Sequence, residues 1–432
     1  MIKNLDYPKK RWFMLTILIL VTIMVEIQWL THAPIARVAQ KFYENQLGFY
    51  PWLTIDTLAV VYMFVFVIIC LPASYIIDTY GIKTGIGIGA ILLIIGSIIK
   101  GFSGYNFLTV FIGQLFLATA QPFIINAVTA FSARWFPLRE RAMAVGFTAL
   151  AQYLGIVMVM LITPMLVVNS PDDPNYGEGI DLMLVMYMIP SVLSGILILL
   201  FLEEKPEHIP FNHQKTRLNF KKGLVHMLQL KDAMLTILLF TIGLGIFNAI
   251  STLVDSITAN LNIKDSDGLI GGVMLIGGIV GAIILPILSD KYQKRKPFLV
   301  FCMLGVIPAI IGLAYAVEIS GLLKLTTNGT YNLALASSFL LGFCIMSAGP
   351  IGFQYTAEIT SPTPESTSQG ILLLVGQISG IALVALMGMQ DNMYLSSMMK
   401  LFVLLSIIAF IAILFIKESP IKSLVKDYQQ IN

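Results

Sequence analysis

A few residues of this 432-residue chain are polar in places where polarity is costly, and they define the chemistry open to it. Glu26 lies deep in an apolar run, and Trp29 follows three residues later, on the same face of a helix. An ionisable group surrounded by hydrocarbon usually faces a cavity or pairs with another group. A carboxylate beside an indole suits an organic cation: the acid supplies charge, and the ring face attracts a desolvated ammonium. The competing reading pairs Glu26 with another helix and makes Trp29 an interfacial anchor. Gln121, directly before Pro122, with Asn126 just over a turn later, and Gln377 are uncharged amides inside apolar runs. Such amides hold a hydroxyl, amine or carbonyl, and they serve equally as glue between helices. His32, beyond Trp29, reads as a hydrated polar residue at a span mouth.

A second set of charges sits at the ends of apolar runs. Asp78-Thr79-Tyr80-Gly81-Ile82-Lys83 and Arg134-Trp135-Phe136-Pro137-Leu138-Arg139-Glu140-Arg141 occupy two loops of the first half. An acid at one helix end and an arginine at another can pair in one state of a rocking bundle and part in the other, which biases a two-state equilibrium. The expected gating pairs are Asp78 with Arg134 or Arg141, and Asp290 with a basic partner in the second half. The alternative is ordinary loop charges and helix-end caps, worth little when exposed.

The elements that position these groups follow from composition. Hydrophobic residues make up 57% and charged residues 12%, and the mean hydropathy is +0.84, far from a soluble domain. Spans of about 20 residues fit twelve times: near 12–31, 53–77, 84–101, 107–131, 140–168, 181–202, 232–258, 266–288, 297–317, 331–357, 368–389 and 397–416. The first run is longer than a signal sequence and lacks a cleavage site, so it reads as span 1. Of the 27 Lys and Arg, 21 fall on one side; Arg37, Lys41, Lys100, Lys264, Lys324 and Lys400 fall on the other. The positive-inside rule then puts both termini in the cytoplasm. The expected division is a bundle over 1–202, a linker over 203–231, a bundle over 232–417 and a tail over 418–432. Leu218, Lys222, Val225 and Leu228 predict a short amphipathic linker helix with its lysines toward anionic lipid.

The halves echo each other. Asp56 and Asp78 bracket span 2 as Asp267 and Asp290 bracket span 8, and Pro137, Glu140 and Gly146 recur as Pro362, Glu365 and Gly370. Gly85 and Gly89, and Gly277 and Gly281, have the spacing for close helix packing. Cys70, Cys302 and Cys344 lie in apolar runs without CxxC spacing, and no HExxH, P-loop or GxSxG pattern occurs. No metal, cofactor, enzymatic site or nucleic-acid partner is expected. Asn328-Gly329-Thr330 is a glycosylation sequon on the expected outer side.

The duplicated six-span pattern and the loop motifs resemble the major facilitator architecture, whose substrate sites lie between two six-helix bundles. Further stretches resemble the feline leukaemia virus subgroup C receptor family. They are Tyr7-Pro8-Lys9-Lys10-Arg11-Trp12 leading to Gln28-Trp29, Ala120-Gln121-Pro122-Phe123-Ile124, Ser251-Thr252-Leu253, Pro350 to Phe353, Ala357-Glu358-Ile359-Thr360, and Gln377-Ile378-Ser379-Gly380. The resemblance implies a choline or ethanolamine transporter, with Trp29 against the ammonium and Gln121 and Gln377 near the substrate. Older assignments in that family imply haem export, but no axial-ligand cluster is evident here. Asn248 stands where the family has a tyrosine, Tyr153 where a glutamine is usual, and Glu26 where a small neutral residue is usual. With Gln28 and Asn126 these complete the candidate substrate set, and Glu358 joins the gating set. The reading is a monomeric alternating-access uniporter or symporter for a small amine, in a plasma membrane or a bacterial or archaeal inner membrane. Glu26 is the candidate proton coupler, and the lean loops point to a microbial homologue. A proton-coupled drug or metabolite exporter, and a receptor without flux, are the alternatives.

Overall fold

A computed structural model describes residues 9–48, 54–102, 104–168, 175–206, 218–260, 269–324, 326–387 and 394–420. In hydrocarbon every backbone N–H and C=O must find a partner within its own segment, and a helix achieves this without edges. Twelve described helices are long and apolar enough to cross a membrane. Numbered as spans 1 to 12, they are Lys10–Ile35, Thr57–Tyr80, Ile82–Phe102, Phe107–Trp135, Arg141–Leu166, Ile180–Phe201, Lys231–Leu253, Leu269–Tyr292, Lys296–Ala314, Asn328–Ile359, Glu365–Met387 and Leu395–Leu414. Their outward faces carry exposed Phe64, Ile68, Leu161 and Leu200, side chains that lipid would solvate. Asp267 and the side chain of Asp56 lie outside the described residues.

The chain divides into two units. The first is Met1–Trp135 with Thr148–Gln214, and the second is Phe136–Phe147 with Lys215–Asn432. This differs from the expected division in two ways. Residues 136–147, after span 4, belong to the second unit, where the Met143 amide donates to Asp290 Oδ2 at 2.7 Å. The linker helix, Phe220–Gln229, is also built into the second unit and is not a separate piece.

Glycines set the helix spacing inside each unit. In the first, Gly96 of span 3 and Gly113 of span 4 face each other, and a Cβ on either would come within 2.9 Å of the other's carbonyl oxygen. In the second, a Cβ at Gly277 or Gly281 of span 8 would lie 2.2 or 2.3 Å from the Phe339 or Phe343 carbonyl oxygen of span 10. Gly342 faces the Met274 carbonyl even more closely, at 1.8 Å. These contacts bring backbones together where the bilayer offers no hydrophobic drive between helices.

Lys100 corrects the charge count. It is not an outer-loop residue: it is buried near the end of span 3. Its ammonium donates to the Gln28 carbonyl at 2.9 Å, Thr31 Oγ1 at 3.1 Å and Gln114 Oε1 at 2.8 Å, which uses all three of its protons.

Candidate functional site

Span 1 presents Glu26 to the interior of the first unit, where it is 2% exposed. Its neighbours are set by a close backbone approach. A Cβ at Gly155 of span 5 would sit 2.7 Å from the Ile23 carbonyl oxygen and 2.9 Å from Glu26 Cβ, so only glycine lets the two helices meet there. The Glu26 carboxyl group faces the side chain of Gln121, and Tyr62 and Tyr153 lie within its electrostatic reach. Among the described residues no basic side chain pairs with Glu26.

Trp29 stands one turn beyond. Its ring stacks on Tyr62 of span 2, with centroids 6.1 Å apart and planes at 29°, and its indole N–H donates to the Ala59 carbonyl at 3.0 Å. The backbone carbonyl of Trp29 accepts from Gln114 Nε2 at 3.1 Å, and Gln114 also donates to the Leu58 carbonyl at 2.9 Å. Lys100 therefore holds Gln114, and Gln114 holds the backbone of Trp29 against span 2. The Tyr62 hydroxyl is buried and lacks a hydrogen-bond partner among the described residues. A phenol in that state leaves a donor and an acceptor unmet, which a bound polar group or water would satisfy.

The structure thus gathers Glu26, Gln121 and Tyr153 around one point, with Trp29 joined through Tyr62. It does not bring Gln28 or Asn126 there. The Gln28 amide turns to span 6 and donates to Ser191 Oγ at 3.0 Å. Asn126 is buried against span 2, donating to the Cys70 carbonyl and to Ser74 Oγ, each at 3.0 Å. Both act between helices. His32 is buried and not at an open span mouth, and its ring meets Tyr43 edge-on at 6.4 Å.

In the second unit spans 7 and 11 touch through small residues: a Cβ at Gly380 would lie 2.7 Å from Asn248 Nδ2. The Ser379 hydroxyl donates to the Thr241 carbonyl at 2.7 Å. Gln377 is on the same stretch of span 11, and its Oε1 is buried without a partner among the described residues.

The loop charges form a tighter cluster than their spacing showed. Arg295, 0% exposed, donates to Asp290 Oδ1 at 2.6 Å and to Glu358 Oε1 at 2.9 Å. Gln354 and Ser419 also donate to Glu358. Burial works against the guanidinium charge, but the two carboxylates outweigh it and raise the Arg295 pKa above its ordinary value. In the first unit Arg134 pairs at 3.2 Å with Glu204, an acid that reads from the sequence as part of the linker. Arg141 donates to the Phe136 carbonyl of its own loop.

Glu204 and Glu418 play matching parts that the sequence reading missed. Glu204 Oε2 accepts the Lys83 amide at 2.8 Å, and Glu418 Oε1 accepts the amides of Arg295 at 2.8 Å and Lys296 at 3.1 Å. Each acid follows the last span of its half and meets the N-terminus of that half's third span, where a negative charge is favoured. Signals for it were present: Phe201-Leu202-Glu203-Glu204-Lys205-Pro206 parallels Phe415-Ile416-Lys417-Glu418-Ser419-Pro420. Gly81 and Gln293, each three residues after the loop aspartate, both take positive φ, at 101° and 51°.

The profile of the Major Facilitator Superfamily matches residues 12–384 and, in a second match, 235–429. The chain belongs to that superfamily of secondary transporters, and it is a multi-pass membrane protein. It is 25% identical over 392 residues to the uncharacterised MFS-type transporter C09D4.1 of Caenorhabditis elegans, covering 88% of this chain and 64% of that one. Solute carrier family 49 member A3 of Xenopus tropicalis is 27% identical, with 86% of this chain and 76% of the relative covered. The choline/ethanolamine transporter FLVCR2 of Rattus norvegicus is 23% identical, with 86% and 68% covered. The chain thus spans less than two thirds of the nematode relative. These are animal proteins, and the expected microbial origin finds no support in them. In fold, the E. coli fucose:proton symporter FucP matches with a TM-score of 0.72 at 14% identity, covering 95% of this chain and all of that one.

Proposed function

We propose that this chain carries a small organic cation or amine, choline-like or ethanolamine-like, by alternating access. The observation that carries the reading is Glu26: a buried carboxyl group with no basic partner among the described residues, next to the stacked Trp29 and Tyr62. An uncompensated acid in hydrocarbon needs a cation or a proton. The aromatic pair beside it favours an organic cation. Gln121 and the unmet Tyr62 hydroxyl would accept or donate to a substrate hydroxyl or N–H, and Tyr153 would close the same side. Asn248 and Gln377 are the second unit's candidate contacts, and the distant likeness to choline/ethanolamine transporters points to the same substrate class.

In this reading the Arg295 cluster and the Arg134–Glu204 pair act at the gates, and the termini lie in the cytoplasm because 21 of the 27 Lys and Arg fall on their side. Uptake of labelled choline and ethanolamine into proteoliposomes tests the proposal. Saturable flux is expected; absence of flux for any small amine, under a pH gradient of either sign, would defeat it.

A second reading gives Glu26 the role of proton coupler, favoured by its freedom from basic partners. Glu26→Gln separates the two. If the acid couples protons, pH-driven uptake is lost and counterflow survives; if it binds the cation, both are lost.

A further inference from the structure

The linker helix Phe220–Gln229 is about 15 Å long and ends directly before span 7 opens at Lys231. That placement holds it at the membrane surface. One face is fixed to the turn between spans 10 and 11. Gly223 and Met227 are buried, and a Cβ at Gly223 would lie 2.8 Å from Pro364 Cδ. The Thr363 hydroxyl donates to the Gly223 carbonyl at 3.1 Å. With its one proton so used, it accepts from His226 Nδ1, also at 3.1 Å. The Leu218 amide donates to the Pro362 carbonyl at 3.2 Å.

The opposite face is open and mixed in character. Val225 is 53% and Leu228 47% exposed, and Lys221 and Lys222 are exposed beside them. A shallow depression of about 340 Å³ is lined by Leu218, Lys221, Lys222, Val225, His226 and Gln229. Two aliphatic side chains in water would be a liability; at the level of lipid headgroups they enter the acyl boundary while the lysines stay at phosphate depth.

We propose that this face seats the headgroup of an anionic phospholipid, with Lys221 and Lys222 on the phosphate and Val225 and Leu228 in the acyl region. The charge is complementary, and the adjoining span fixes the depth. The docked face gives the seat a consequence. It rests on Pro362, Thr363 and Pro364, and the last turn of span 10, just before them, carries Glu358, the partner of Arg295. Lipid on the outer face therefore steadies the turn next to the buried ion cluster. The proposal is independent of the substrate reading.

The test uses the purified full chain in phosphatidylcholine nanodiscs with added phosphatidylglycerol, and native mass spectrometry of the retained lipid. Wild type retains phosphatidylglycerol preferentially. At about a fivefold effect per surface lysine, Lys221→Gln with Lys222→Gln lowers that preference roughly 25-fold. Both lysines lie outside the docking contacts, so the double variant unfolds at the wild-type temperature in phosphatidylcholine alone. Val225→Ser with Leu228→Ser also weakens retention. Unchanged retention in either double variant overturns the proposal. Displacement of the lipid by inorganic phosphate would show a free-anion site and overturn it equally.

Discussion

Replacing Arg295 by methionine removes a cation that is buried between two carboxylates at 2.6 and 2.9 Å. The remaining donors to those acids, the Met143 amide on Asp290 and the Gln354 and Ser419 side chains on Glu358, do not neutralise two negative charges. Breaking a buried ion pair from one side costs about 3–5 kcal/mol, most of it the penalty of the stranded charge. For a unit of this size that lowers the unfolding midpoint by roughly 6–20 °C. The chain carries its own reporters. Cys302, on the helix that Arg295 leads into, and Cys344 are buried free thiols, and a thiol-reactive dye reads their exposure on heating. Arg295→Met should unfold early. Adding Asp290→Asn and Glu358→Gln removes the stranded charges and should recover most of the loss. An Arg295→Met protein as stable as wild type, or a triple variant no more stable than the single, would show that the stranded carboxylates carry no such penalty.

Trp29→Ala should weaken a cationic substrate roughly 2- to 30-fold, the range of a cation–π contact, while a neutral isostere of choline competes as before; equal losses for both would argue against the ring's electrostatic role. Gly342→Val places a side chain onto the Met274 carbonyl and should abolish monodisperse protein in size-exclusion chromatography, whereas Gly243→Ala, with open space around its Cβ, should gain up to about 1 kcal/mol in the dye assay. Lys100→Met leaves buried acceptors on Gln28, Thr31 and Gln114 short of a donor and should lower stability by about 1–3 kcal/mol, read through Cys70 of the same unit.

The twelve spans and the twofold repeat were legible because both are local signals: apolar runs of bilayer length, broken by charged loops. The rotation of each helix was not. Where every face is apolar, hydropathy does not say which side meets a neighbour, so Gln28 and Asn126 looked like equals of Gln121 and proved to face spans 6 and 2. Tyr62 passed unnoticed because an aromatic in an apolar run signals nothing by itself; its stacking on Trp29 comes from tertiary packing. Lys100 lay close enough to the expected end of span 3 to count as a loop charge. Arg295 drew attention only as an unnamed partner of Asp290, although its alignment with Lys83 in the repeated motif was readable. The linker helix was foreseen, but the buried pair Gly223 and Met227 depended on a turn more than 130 residues away.

The acceptors of Lys100 also bear on how the chain enters the membrane. A lysine at the centre of an inserting helix costs about 2.5–3.5 kcal/mol, and less near an end. Two of its three acceptors, on Gln28 and Thr31, belong to span 1, which is synthesised earlier; the third, on Gln114, belongs to span 4 and arrives last. Span 3 is thus disfavoured alone and welcomed by a span 1 already in place. Gln114 then locks the group and fixes the Trp29 backbone in the same step. The translation order thus supplies each partner of Lys100 in turn, and the Trp29 side of the candidate site is fixed only when the fourth helix has joined the first three.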